Sequence, residues 1–139
     1  MNAESKSPLT GQCLCGDIAF TIECDRANVI ACHCGQCRQW SGHVWASINV
    51  AVEALSMTRG EDRIVWFRAS EFARRGFCPA CGSALFWHGD KLDGHAHRIA
   101  VAAGALDAPT GLRLDKHIFA ADKGDYYDIP AHEPQLAQE

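Results

Sequence analysis

The sequence predicts a mainly β domain with a small sheet core, long connections and little helix. Three observations lead there. Apolar residues come in short runs rich in Val, Ile, Phe and Trp, bounded by Gly, Asp or Pro. No stretch sustains the 3.6-residue apolar period of a long helix. Cysteine, with eight residues in a chain of 139, is gathered into tight groups that suit metal staples between short strands.

The elements follow in order. "GDIAFTIE" (16–23) alternates and puts Ile18, Phe20 and Ile22 on one face. "GQCRQWSG" (35–42) has room for one or two helical turns. "HVWASINVAV" (43–52), "RIVWFRA" (63–69), "ALFWH" (84–88) and "HRIAVAAGAL" (97–106) read as strands, and "KHIFAA" (116–121) as the last one. "DKGDYYDI" (122–129) is expected to form a turn or an irregular end. The tail "AHEPQLAQE" (131–139) is polar, contains a proline and is expected to fray, as are residues 1–9. One domain over residues 1–139 is therefore expected, with an ordered core from about residue 10 to 130.

A net charge of -4 and the absence of any Lys/Arg-rich run argue against nucleic acid as a partner. Arg74 and Arg75 form the sole adjacent basic pair. The N-terminal stretch lacks the apolar core of a signal peptide, and no window holds the 18 apolar residues of a membrane span. Eight cysteines without an export signal suggest a reducing, cytoplasmic setting, where they are metal ligands or catalytic groups rather than disulfides.

Spacing sorts the cysteines. Cys13 and Cys15, two apart on a strand, would face the same way. Cys78 and Cys81 sit in a C-P-A-C-G knuckle, where Gly82 suits the turn, as Gly16 does after Cys15. Two pairs make a closed four-thiolate zinc site, a long-range staple of the kind that contributes roughly 10 kcal/mol or more to folding.

"CHCGQC" (32–37) is different. Cys32 and Cys34 would share a face, His33 would point the other way, and Cys37 would return through a turn at Gly35. Three protein ligands and an open fourth position are the arrangement of catalytic zinc. An incoming thiol would suit an ion already surrounded by sulfur. The alternative is a second structural site closed by Cys24, His43, His88, His95, His97 or His117. Cys24 matches no pair and reads as an ordinary thiol. Arg38, next to the last ligand, could hold a substrate carboxylate. His33, His43 and His117 are candidate proton donors, and Trp40 and Trp45 candidate pocket walls or core residues.

The motifs "GQCLCGDI" (11–18), "CHCGQCRQWSG" (32–42), "FCPACGSALFW" (77–87), "GALDAP" (104–109) and "HIFAADK" (117–123) together resemble the glutathione-dependent formaldehyde-activating family, which includes centromere protein V. The resemblance implies a β-tent fold of small antiparallel sheets stapled by zinc. It implies two zinc sites, a structural one at Cys13, Cys15, Cys78 and Cys81 and a catalytic one at Cys32, Cys34 and Cys37. The implied activity is that of a carbon–sulfur lyase making S-(hydroxymethyl)glutathione, with glutathione as co-substrate and an aldehyde as partner. Two positions depart from the family pattern: Tyr126 and Tyr127 where a Trp is common, and Ser83 where Thr is frequent. Outside the enzyme class stand a zinc and thiol carrier and a purely structural zinc module that binds another protein.

Overall fold

A computed structural model describes residues 8–23 and 27–139; the odd cysteine, Cys24, lies outside them. Among the described residues ten strands form two sheets, in keeping with the mainly β prediction. Strands β1 (Leu9–Gln12), β2 (Ala19–Ile22) and β5 (Leu55–Arg59) make a three-stranded antiparallel sheet in the order β1-β2-β5. The other seven are β3 (Val29–Cys32), β4 (Trp45–Ala51), β6 (Val65–Phe67), β7 (Arg74–Phe77), β8 (Ala84–His88), β9 (Arg98–Ala102) and β10 (Leu114–Ile118). They run in the order β10-β3-β4-β9-β8-β7-β6. The one α-helix among the described residues, α1 (Gly35–Ser41), bridges β3 and β4.

The alternation predicted for residues 16–23 is present. Ile18, Phe20 and Ile22 are fully buried, and they pack with Ile48 and Val50 of β4, Leu85 and Phe86 of β8 and Val101 of β9. Phe20 meets Phe86 edge-on at 5.5 Å between ring centroids, and this contact joins the two sheets. Trp66 of β6 stacks on the same Phe86 at 6.1 Å.

Two features depart from expectation. The sheets are not wholly antiparallel: β10 lies parallel to β3, with His117 opposite Ala31 and Ile118 opposite Cys32. A parallel neighbour needs a long crossover, and the chain has more than 80 residues between the two strands in which to make one. The C-terminal segment is also tied down. Leu136 N–H donates to His117 O at 2.9 Å, His117 N–H to Pro134 O at 2.9 Å, and Ala120 N–H to Leu136 O at 2.9 Å. These bonds cover the outer edge of β10, which would otherwise expose unpaired backbone groups.

Phe86 is the common contact of both sheets. Phe86→Ala is expected to destabilise the fold by about 3–5 kcal/mol, measured as a lower urea midpoint with an unchanged slope.

Candidate metal centres

The first group of thiols stands where the two sheets approach. Sγ atoms of Cys13, Cys15, Cys78 and Cys81 all lie within 4.8 Å of one another. Cys13 and Cys15 are not on a strand. They lie in the turn that follows β1, and that turn brings them together: Gly16 N–H donates to Cys13 O at 3.1 Å and Cys13 N–H to Ile18 O at 3.0 Å. Gly82 N–H closes the matching turn after β7 by donating to Cys78 O at 2.7 Å. Gly16 and Gly82 have φ of 85° and 79°, the left-handed region that a side chain disfavours. Ser83 clasps the two turns, accepting from Leu14 N–H at 2.9 Å and lying 3.2 Å from Cys81 Sγ. Its hydroxyl is the main cause that holds the Cys81 thiol down to about 6.

The second group comprises Cys32, Cys34 and Cys37, whose Sγ atoms likewise lie within 4.8 Å of one another. Cys32 ends β3, and Cys34 is the N-cap of α1, its sulfur accepting from Cys37 N–H at 3.3 Å. The cap makes the bend here. Gly35 is the first residue of the helix and has no positive φ. Hydrogen bonds from Cys32 and then Cys37 push the Cys34 thiol down to about 2, while its role as donor to Cys34 pushes Cys32 up. Among the described residues no fourth Cys, His, Asp or Glu joins the trio. Soft sulfur donors in these numbers could hold a metal ion such as zinc in each group, four in the first and three in the second.

His33, between two of these thiols, is turned away from them as the alternation predicts, and it is pinned at every polar atom. Its N–H donates to Ile118 O at 3.1 Å, and its O accepts from Arg38 Nε at 3.1 Å. Its ring lies in a buried chain: Gly124 N–H donates to Tyr127 Oη (3.1 Å), which lies 2.8 Å from His33 Nδ1. His33 Nε2 is 2.8 Å from His117 Nδ1, and His117 Nε2 is 2.6 Å from Glu133 Oε1. A carboxylate only accepts, so one proton per ring satisfies every link: His117 Nε2–H donates to Glu133, His33 Nε2–H to His117, and the Tyr127 hydroxyl to His33. Burial, then the neighbouring His117 and His43, pushes the His33 imidazole below its ordinary value. His43 is exposed, with Nδ1 2.7 Å from Tyr126 Oη.

Arg38 is directed at the backbone. Besides His33 O it donates from Nη2 to Asp122 O at 3.0 Å. The guanidinium at the thiols is that of Arg75 on β7, which spacing did not single out. It is 4% exposed, donates to Cys37 Sγ at 3.7 Å and to Gln36 Oε1 at 3.2 Å, and lies 5.0 Å over the Trp40 ring. The available signal was the Arg74–Arg75 pair itself, since successive strand residues face opposite ways and one of the two must turn inward. Arg74 takes the other face, over Trp66 and beside Asp90. A cleft of about 360 Å³ opens beside Arg75, lined also by Gln36, Gln39, Trp40, Phe67 and Ala69. Trp45 is buried against Trp40 at 5.1 Å, packing with Cys37, Ala100 and Ala102.

Two β-sheets joined at one thiol group, with a three-thiol group at the start of the helix, define a small β domain organised around paired cysteine clusters. The chain belongs to the family described as glutathione-dependent formaldehyde-activating enzyme, whose profile matches residues 8–122. An uncharacterized lyase of Schizosaccharomyces pombe is 25% identical over 119 residues, which cover 86% of this chain and 83% of that protein. A crystal structure of a Rhodobacter sphaeroides protein shares the fold, with a TM-score of 0.61 at 16% identity, over 91% of this chain and 98% of that one. No helix among the described residues is long and apolar enough to cross a membrane.

Cys78→Ser is expected to prevent stable folding, because it opens a group that links distant turns. Cys37→Ser should leave a folded protein with a lower melting temperature; the reverse order in thermal melts would overturn the division between the clusters. His117→Leu leaves His33 Nε2 unpaired in the interior and should cost about 1–3 kcal/mol, read from urea unfolding.

Proposed function

We propose that the protein is a zinc-dependent carbon–sulfur lyase of the S-(hydroxymethyl)glutathione synthase type, acting on glutathione or another small thiol and an aldehyde. One observation carries the reading: the second cluster has three thiols where the first has four. Cys32, Cys34 and Cys37 would hold the ion of the reaction centre, and Cys13, Cys15, Cys78 and Cys81 the structural one. A zinc ion held by these three thiols would supply the Lewis acidity that lowers the pKa of a substrate thiol.

The chain's own residues do the rest. His33, fixed at four polar atoms, sets the spacing of Cys32 and Cys34 before substrate arrives. Trp40 and Trp45 pack against the sulfur trio and limit water there. In the reaction the substrate sulfur bonds to the carbonyl carbon, and the carbonyl electron pair moves to oxygen. That oxygen takes up one proton, matching the one the thiol gave up. His33 and His117 use all their ring nitrogens in the buried chain and act as supports. Of the three candidate histidines, His43 is the one open to solvent exchange. Arg38 remains the proposed carboxylate contact only where a substrate displaces one of its two carbonyl partners.

With cobalt in place of zinc, glutathione at millimolar concentration (the weak end of useful affinity, about 1 mM) should intensify the sulfur-to-cobalt bands. S-methylglutathione should not, and Cys34→Ser should abolish the response while the bands of the first cluster persist. An unchanged spectrum would eliminate glutathione as the thiol. A new band with adduct formed no faster than in the protein-free blank would make the protein a thiol carrier.

A further inference from the structure

We propose that Arg75 is the counter-charge of the three-thiol cluster, and that it biases the open position toward an anionic sulfur ligand over a neutral one. The proposal deepens the metal-centre reading above and rests on it. It starts from a buried guanidinium with no carboxylate beside it among the described residues. A charge out of water needs an opposite charge or a full set of hydrogen bonds. The partners of Arg75 are an amide oxygen, an indole face and the sulfur of Cys37. The negative charge it answers to is therefore that of the sulfur cluster.

The two clusters differ in this respect. At the first, the donors that reach sulfur are neutral: Ile18 N–H on Cys13 at 3.3 Å and the Ser83 hydroxyl beside Cys81 at 3.2 Å. Cys15 there is exposed, so water screens it. At the second, Cys37 is buried, and the donor that reaches its sulfur is the Arg75 guanidinium. Formal charges then separate the sites. Four thiolates and a divalent ion leave two negative charges. Three thiolates, a divalent ion and a guanidinium sum to zero. The neutral second site can accept one more thiolate and end with a single negative charge, whereas without Arg75 the same step would leave two in a half-buried place.

Fixed geometry makes this effective. The guanidinium fork is split between Cys37 Sγ and Gln36 Oε1 and lies over Trp40, all three on α1. One helix therefore carries the thiol, the amide and the ring that orient the cation. A lysine would keep the charge and lose the fork. Arg75 acts through Cys37 and the local field, which makes it a positioning residue.

The test compares two exogenous ligands on the full-length cobalt-loaded protein: 2-mercaptoethanol, a thiol without a carboxylate, and imidazole, a neutral nitrogen ligand. In Arg75→Gln the affinity for the thiol should fall by about tenfold or more relative to imidazole, with Arg75→Lys intermediate. A general loosening of the site would weaken both ligands alike. An unchanged ratio in a folded Arg75→Gln whose first cluster keeps its bands overturns the role of Arg75 alone. Failure of the unaltered chain's second cluster to take up cobalt overturns the metal-centre reading as well. Should the glutamine variant not fold, a metal-loaded crystal structure of the unaltered chain decides. Arg75 Nη1 is expected to stay within hydrogen-bond distance of Cys37 Sγ, and its withdrawal from that sulfur would refute the proposal.

Discussion

The meeting of two turns around four sulfurs is the constraint on which the rest of the molecule depends. The turn after β1 belongs to the three-stranded sheet and the turn after β7 to the seven-stranded one. Cys13 and Cys15 come from the first, Cys78 and Cys81 from the second, and Ser83 bonds across both. Strands of three to seven residues bury little surface singly. Bringing the sheets together here lets Phe20 reach Phe86 and closes the apolar core. An ion held by these sulfurs, as proposed, would make this junction a covalent-strength clamp, and every position downstream of β7 would inherit its placement.

The second cluster is built from a different kind of constraint. Its three thiols come from six consecutive residues, so proximity is local, but their orientation is not. Residue 33 is held by β10 through Ile118, by α1 through Arg38, and by the C-terminal half of the chain through Tyr127, His117 and Glu133. The tail that hydrogen-bonds along β10 brings in Glu133, the terminal acceptor of that chain. A segment whose composition suggests fraying thus belongs to the support of the site. Loss of that support would be felt at the thiols without any ligand being altered.

Charge distinguishes what the clusters can do. Hydrogen bonds from Cys32 and Cys37 lower the Cys34 thiol below its ordinary value. Arg75 supplies a positive charge on the same side of β7 as the cluster. Membership of a formaldehyde-activating family and a lyase relative are consistent with the proposed centre, at which a soft ion with room for one more ligand would serve sulfur chemistry.

Much of this was legible in the chain. Period-two alternation located Ile18, Phe20 and Ile22 in the core, and the C-x-C, C-x-C-x-x-C and C-x-x-C spacings sorted seven cysteines into two groups. Those are local signals, set by side-chain direction over two or three residues. The turn that carries Cys13 and Cys15 was read as a strand, because either backbone brings such a pair together. The parallel pairing of β10 with β3, the docking of the tail, and the placement of Tyr127 and Glu133 on the histidine pair left no local trace. Arg75 is the clearest case. Its sequence neighbours, Arg74 and Gly76, say nothing of sulfur, and Cys37 is 38 residues away along the chain. Only the tertiary fold, which carries the Arg75 side chain from β7 to α1, puts that charge on that thiol, because a long-range contact is chosen by the whole core and not by the residues that make it.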